Sequence, residues 1–88
     1  MYDKRGAKVG AVTDVVVDPM TLEAEWYEVK VGLIGGHHLV PALRMVVDGD
    51  HCTVPYDKDQ IKAAPNAEAP LLDDEKESLR AHYQLTTN

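Results

Sequence analysis

Two adjacent histidines, His37 and His38, stand in the stretch GLIGGHHLVP, between a glycine pair and an apolar triplet that ends at Pro41. Imidazole is both a common metal ligand and a neutral-pH general base, so the pair is the first place to look for chemistry. On an extended strand, neighbouring side chains point to opposite faces, and two adjacent rings then cannot chelate one ion. A turn between them would be needed, and the glycines ahead of them permit one. His51 and Cys52 would add ligands if their segment lay beside GGHH, and a nearby carboxylate would complete a zinc set. No C-x-x-C or H-x-x-x-H spacing supports such a set. Cys52 falls on the apolar face of its segment with Val54 and Tyr56, which reads as a small core residue. His37 and His38 are therefore expected at or near the surface, as a loop entering a strand. A metal site through His37, His38 and His51 is the alternative.

The remaining reactive side chains have plainer readings. Asp73-Asp74-Glu75 has the composition of a general-acid pair or a calcium site, but its place at a helix start is explained by the helix dipole. Asp14, Asp18 and Glu23 read as turn and surface residues. No Ser-His-Asp or Cys-His arrangement has a credible elbow or helix setting. Gly32, Gly35 and Gly36 lack the strand-loop-helix context of a phosphate cradle. The expectation is no catalytic residue and no cofactor. Protein contact is the stronger theme. Trp26 falls on the polar face of an alternating strand, where an exposed ring would anchor an interface. A second small core, covered by a C-terminal helix, is the other reading of Trp26, and both stay open. Leu33 and Ile34, on a glycine-flanked loop, are the other contact candidates, because an apolar loop tip has little reason to face water.

These residues must be held by a thin scaffold. The chain has 88 residues, enough for one small domain, and support from a partner copy would suit so small a core. Phe is absent and the aromatics are four Tyr and one Trp, so Val, Leu, Ile and Met must fill the core. Nine basic against fifteen acidic residues give a net charge of −6, which repels a phosphate backbone. No Lys or Arg run offsets this, so direct nucleic-acid binding and membrane insertion are not expected. Cys52 is the single cysteine, so no internal disulfide forms, in keeping with a reducing cytosol. No apolar stretch is long enough to span a bilayer and no signal peptide stands at Met1, so a soluble, cytoplasmic chain is expected.

Periodicity supplies the elements. KVGAVTDVVVD is rich in β-branched residues, with Gly10 marking a bend or bulge. Asp18-Pro19 opens a turn. In EWYEVKVGL, Tyr27, Val29, Val31 and Leu33 alternate with Trp26, Glu28, Lys30 and Gly32, as in a half-buried strand. HLVPA is a short strand that Pro41 places at an edge or ends. RMVVDGDHCTVPY reads as a hairpin about Asp48-Gly49. DKDQIKAAP is a polar turn and a short segment closed by Pro65, and NAEAP is linker-like. LLDDEKESLRAHY changes to helical period, with Leu72, Leu79 and Tyr83 on one face. Asp73 or Asp74 can cap it, and Asp74 with Glu77 has capping-box spacing. Gaps this short require antiparallel pairing. The expected fold is all-β: a small antiparallel β-barrel or sandwich over residues 1–70, a helix over 71–84 packed on it, and a frayed tail at 85–88.

Read in order, YDKRGAKVGAVTDVVVD, AEWYEVKVGL, HLVPA, GDHCTVPYDKDQIKAAP and LLDDEKESLRAHY together resemble a PRC-barrel domain. This is the small β-barrel of the photosynthetic reaction centre H subunit and of a ribosome maturation factor. The nearest variety is the bacterial stress-associated type, in which a second charged domain follows the barrel; no such domain stands in this sequence. The family carries further residues ahead of the Tyr-Asp pair, whereas this sequence opens at Met1-Tyr2-Asp3. Either the start is truncated or the barrel closes without that strand, leaving an edge for a second copy. The resemblance implies a PRC-type barrel without enzyme activity. Its role would be a scaffold or adaptor that self-associates as a homodimer or higher homo-oligomer and meets a protein partner, with a stress-related role among those implied. The alternatives are metal binding through the loop histidines, or an RNA-processing and ribosome-maturation accessory acting through a ribosomal protein.

Overall fold

The computed structural model describes residues 1–32, 36–65 and 71–85. Five strands come first: β1 (Ala11–Val17), β2 (Ala24–Lys30), β3 (His37–Pro41), β4 (Val46–Asp48) and β5 (His51–Thr53). Two helices follow, α1 (Lys58–Lys62) and α2 (Asp73–His82). β1, β2 and β3 form an antiparallel sheet in that order, and β4 pairs antiparallel with β5. The chain is thus mostly β with small helices at its C-terminal end, and the expected antiparallel pairing is present. A single closed ladder is not formed among the described residues. The N-terminal segment instead joins the two sheets. Tyr2 bridges antiparallel to Lys8 and parallel to Thr53. The Tyr2 N–H donates to the Cys52 carbonyl at 2.8 Å, and the Val54 N–H donates to the Tyr2 carbonyl at 3.0 Å.

β1 forms from a β-branched run and β2 from an alternating run that carries Trp26, Tyr27 and Val29, each seven residues. Gly10, just ahead of β1, lies so close to β2 that a Cβ there would sit 2.0 Å from the Lys30 carbonyl oxygen. Gly10 is therefore a point of close backbone approach. One irregularity in pairing falls between Val12 and Asp14, three residues after Gly10, and leaves Thr13 as the extra residue; a second falls between Val16 and Val17. The turn after β1 is held by Asp18, whose Oδ1 accepts from the Met20 N–H at 2.7 Å. β3 is an edge strand and ends at Pro41, as its proline requires. In the β4–β5 hairpin Asp48 pairs with His51, so the two loop residues are Gly49 and Asp50, one position later than expected. Gly49 takes φ 62°, the left-handed conformation that a tight hairpin needs at its first loop position.

The segment after Tyr56 is helical rather than a simple polar turn, and α1 buries Ile61 completely. α2 begins one residue earlier than a cap at Asp73 would place it. Leu72 occupies the N-cap and has no side-chain acceptor; its own N–H donates to Glu75 Oε1 at 3.0 Å. That is half a capping box, supplied by Glu75. Leu72 is 64% exposed and so departs from the expected apolar face, which consists of Leu79 and Tyr83 with Leu71 packed beside them. Burying Leu79 stabilises the fold by about 1.5–3 kcal/mol relative to leaving it exposed. Leu85, the expected start of the tail, is partly buried against the core, and its N–H donates to the Arg80 carbonyl at 2.8 Å. Residues 86–88 and the linker-like stretch 66–70 lie outside the described residues.

Candidate functional site

The bulge at Thr13 sets up a polar cluster on the outer face of the three-stranded sheet. Thr13 Oγ1 donates to Glu28 Oε1 at 2.8 Å, and His37 Nδ1 lies 3.0 Å from the same oxygen. Thr13 Oγ1 and His37 Nδ1 are 3.3 Å apart. A hydroxyl, an imidazole and a carboxylate within hydrogen-bond reach have the membership of an acyl-transfer triad but not its order. In such a triad one ring nitrogen holds the hydroxyl while the other is oriented by the carboxylate. Here the hydroxyl donates straight to the carboxylate, and the ring meets both groups through Nδ1 alone. The imidazole is therefore not placed between hydroxyl and carboxylate to relay a proton, as the triad requires. What the cluster does is tie β1, β2 and β3 together across their solvent face.

The other histidines are dispersed. His37 and His38 open β3 rather than a loop, so the pleat sends them to opposite faces. His38 is half-buried, and its Nδ1 is shielded without a hydrogen-bond partner. Burial holds its pKa below the ordinary 6.5, with the charges of His37 and Lys62 acting in the same direction. His51 is exposed and stacks on the Tyr2 ring, centroids 4.1 Å apart and planes 3° from parallel. His82 Nε2 donates to the Gln60 carbonyl at 2.6 Å, clasping α2 to α1. Among the described residues, no three His, Cys, Asp or Glu side chains are placed to hold one metal ion. The trio His37, His38 and His51 is thus not assembled as a ligand set. Cys52 is half-buried against the core, and burial pushes its thiol pKa up, away from the reactive thiolate.

Trp26 is only 2% exposed, which corrects the surface position open to it in the sequence. The ring lies 6.5 Å from that of Tyr83, at the end of α2, and Tyr83 in turn packs edge-on against Tyr56 at 4.8 Å. Trp26, Tyr56 and Tyr83 belong to the same buried cluster as Val29, Leu39, Ile61 and Leu79, so among the described residues the ring sits in the main core and not in a separate second one. Tyr83, just after α2, packs near Trp26 on the side of β2 that alternation marks as polar, so Trp26 is buried while Glu28 is half-buried and Lys30 exposed. Leu33 and Ile34 lie outside the described residues.

Two arrangements have no signal in the linear sequence. Asp3 is buried, and its carboxylate accepts three backbone N–H bonds: Arg5 and Ala7 on Oδ1, both 2.9 Å, and Lys58 on Oδ2, 3.1 Å. It staples the N-terminal turn to the start of α1. Lys4 and Arg5 reinforce the staple by approaching Asp57 at 3.5 and 3.2 Å. Beside it, Lys8, Lys30 and Lys58 line a groove of about 520 Å³ with Val9, Gly10, Ala11 and Gly32. A run of basic residues would have announced such a patch; three lysines brought from separate segments do not.

Among the described residues, no helix is long and apolar enough to cross a membrane. No curated protein matches the chain. The family model for the PRC-barrel domain matches residues 2–61, from the Tyr2 bridge through β1 to β5 and into α1. The chain belongs to the PRC-barrel domain family.

Proposed function

We infer that the chain is a non-catalytic protein-interaction module that self-associates. The observation that carries this reading is the apolar, β-branched surface of two edge strands, β1 and β4. Val12, Val15 and Val17 of β1 are 40%, 41% and 47% exposed, and Val46 and Val47 of β4 are 64% and 63% exposed. β1 and β4 each stand at the end of their sheet. Exposed valines on a strand with an unpaired edge favour contact with another chain, through side chains and backbone alike. The order of Thr13, Glu28 and His37 supports the non-catalytic half of the reading.

The test is light scattering on a size-exclusion column, with and without a chelator. A dimer or larger assembly unaffected by chelator is the expected result. Dissociation by chelator would replace this reading with a metal-bridged assembly through His37, His38 or His51. A monomer under both conditions would overturn self-association.

A further inference from the structure

Lys8, Lys30 and Lys58 reach the same groove from the segment before β1, the end of β2 and the first turn of α1. The floor between them is apolar, formed by Val9 and Ala11 with the bare backbones of Gly10 and Gly32. In a chain with nine basic and fifteen acidic residues, three ammonium groups around one hollow run against the overall sign. Among the described residues none of the three is in an ion pair, while Lys4, Arg5 and Arg80 all have carboxylate partners. The nearby Asp3 carboxylate accepts three backbone N–H bonds and is in no ion pair with these lysines. An anionic occupant would meet three lysines without carboxylate partners there.

The chain carries a matching surface of its own. At about 100° per residue, Asp73, Glu77 and Asp74 fall within about 100° of arc on α2. All three are exposed, on the side away from buried Leu79 and Tyr83. Three exposed carboxylates answer the three lysines that line the groove. We propose that the lysine-rimmed groove of one copy receives the acidic outer face of α2 from a second copy. A two-fold pair makes this contact twice. The inference rests on the self-association reading and names the two surfaces that would meet.

Charge exchange between variants tests it on the intact chain. One variant carries K8E, K30E and K58E; the other carries D73K, D74K and E77K. Each alone sets like charges against like and is expected to run as a monomer at a concentration where the unchanged chain is dimeric. Mixed one to one, they restore both contacts of the pair, one with the original signs and one with the signs exchanged, and the dimer mass should return. Raising salt from 0.05 to 0.5 M should weaken the unchanged dimer about tenfold, because these charges are solvent-accessible. Trp26 emission reports whether each variant is folded. Should a reversed variant fail to fold, the neutral sets K8Q/K30Q/K58Q and D73N/D74N/E77Q replace it, and about tenfold weaker dimerisation is expected. Dimers that survive charge reversal or neutralisation leave self-association standing and overturn this pairing. A mixture that stays monomeric overturns it too. A monomeric unchanged chain overturns the pairing together with the reading it rests on.

Discussion

The Tyr83 hydroxyl donates a 2.7 Å hydrogen bond to the Leu39 carbonyl, tying the end of α2 to the edge strand β3. The bond is buried, and burial pushes the Tyr83 pKa well above the ordinary phenol value, with Tyr56 adding to the shift. The hydroxyl thus stays protonated and remains a donor throughout the physiological range. Tyr83→Phe should cost about 1 kcal/mol, the net worth of one buried neutral hydrogen bond. In a domain of this size that lowers Tm by about 4–8 °C, which thermal melting followed by circular dichroism will check.

Leu79 is the fully buried residue by which α2 holds to the sheet. Leu79→Ala should cost about 2–5 kcal/mol, a large share of the total stability of so small a domain. Detachment of α2 uncovers Trp26, the only tryptophan in the chain. Its emission should therefore shift to the red in the variant before any denaturant is added. Unchanged emission together with an unchanged urea midpoint would show that α2 does not cover the ring.

Gly10→Ala should destabilise through a clash with backbone. Its Cβ would fall 2.0 Å from the Lys30 carbonyl oxygen and 3.3 Å from the Val29 side chain. A carbonyl fixed in the β1–β2 ladder cannot swing away as a long side chain would. Overpacking of this kind costs about 1–3 kcal/mol, read as a lower urea midpoint at constant slope.

Asp3 makes stability depend on acid. Burial alone would raise its pKa, but the N–H groups of Ala7, Lys58 and Arg5, with the Arg5 charge, outweigh burial and hold it below the usual 3.8. A carboxylate with a depressed folded pKa stabilises fully above its unfolded pKa. That contribution is lost as the pH falls through the lower folded value. The urea midpoint should therefore decline below about pH 4, and Asp3→Asn should flatten that decline. Asp3→Ala should lower the midpoint at neutral pH as well, since it leaves three N–H groups without their acceptor.

His38 acts in a higher window. Its folded pKa is depressed by burial, so its contribution is complete above the ordinary 6.5 and fades as the pH falls through the folded value. Imidazole NMR signals should show His38 titrating below 6.5. His38→Gln should remove part of the stability loss seen below that pH. A titration midpoint at or above 6.5 would contradict the burial of its ring.

Local pattern carries much of this fold. The alternation of Tyr27, Val29 and Val31, the terminal proline of β3, the shared face of Cys52, Val54 and Tyr56, and the acidic start and basic end of α2 are all readable in order along the chain. Each depends on neighbours one to four residues away, where strand and helix periods act. Trp26 shows where that reach ends: its own strand marks it as polar, and packing with Tyr83 in the shared core buries it. The same holds for the three N–H groups on Asp3, for Thr13 and His37 meeting on Glu28, and for Lys8, Lys30 and Lys58 around one groove. These groupings join segments distant in sequence. Their positions are set by how the sheets, the N-terminal bridge and the helices pack, because burial of the shared core fixes where each segment lies.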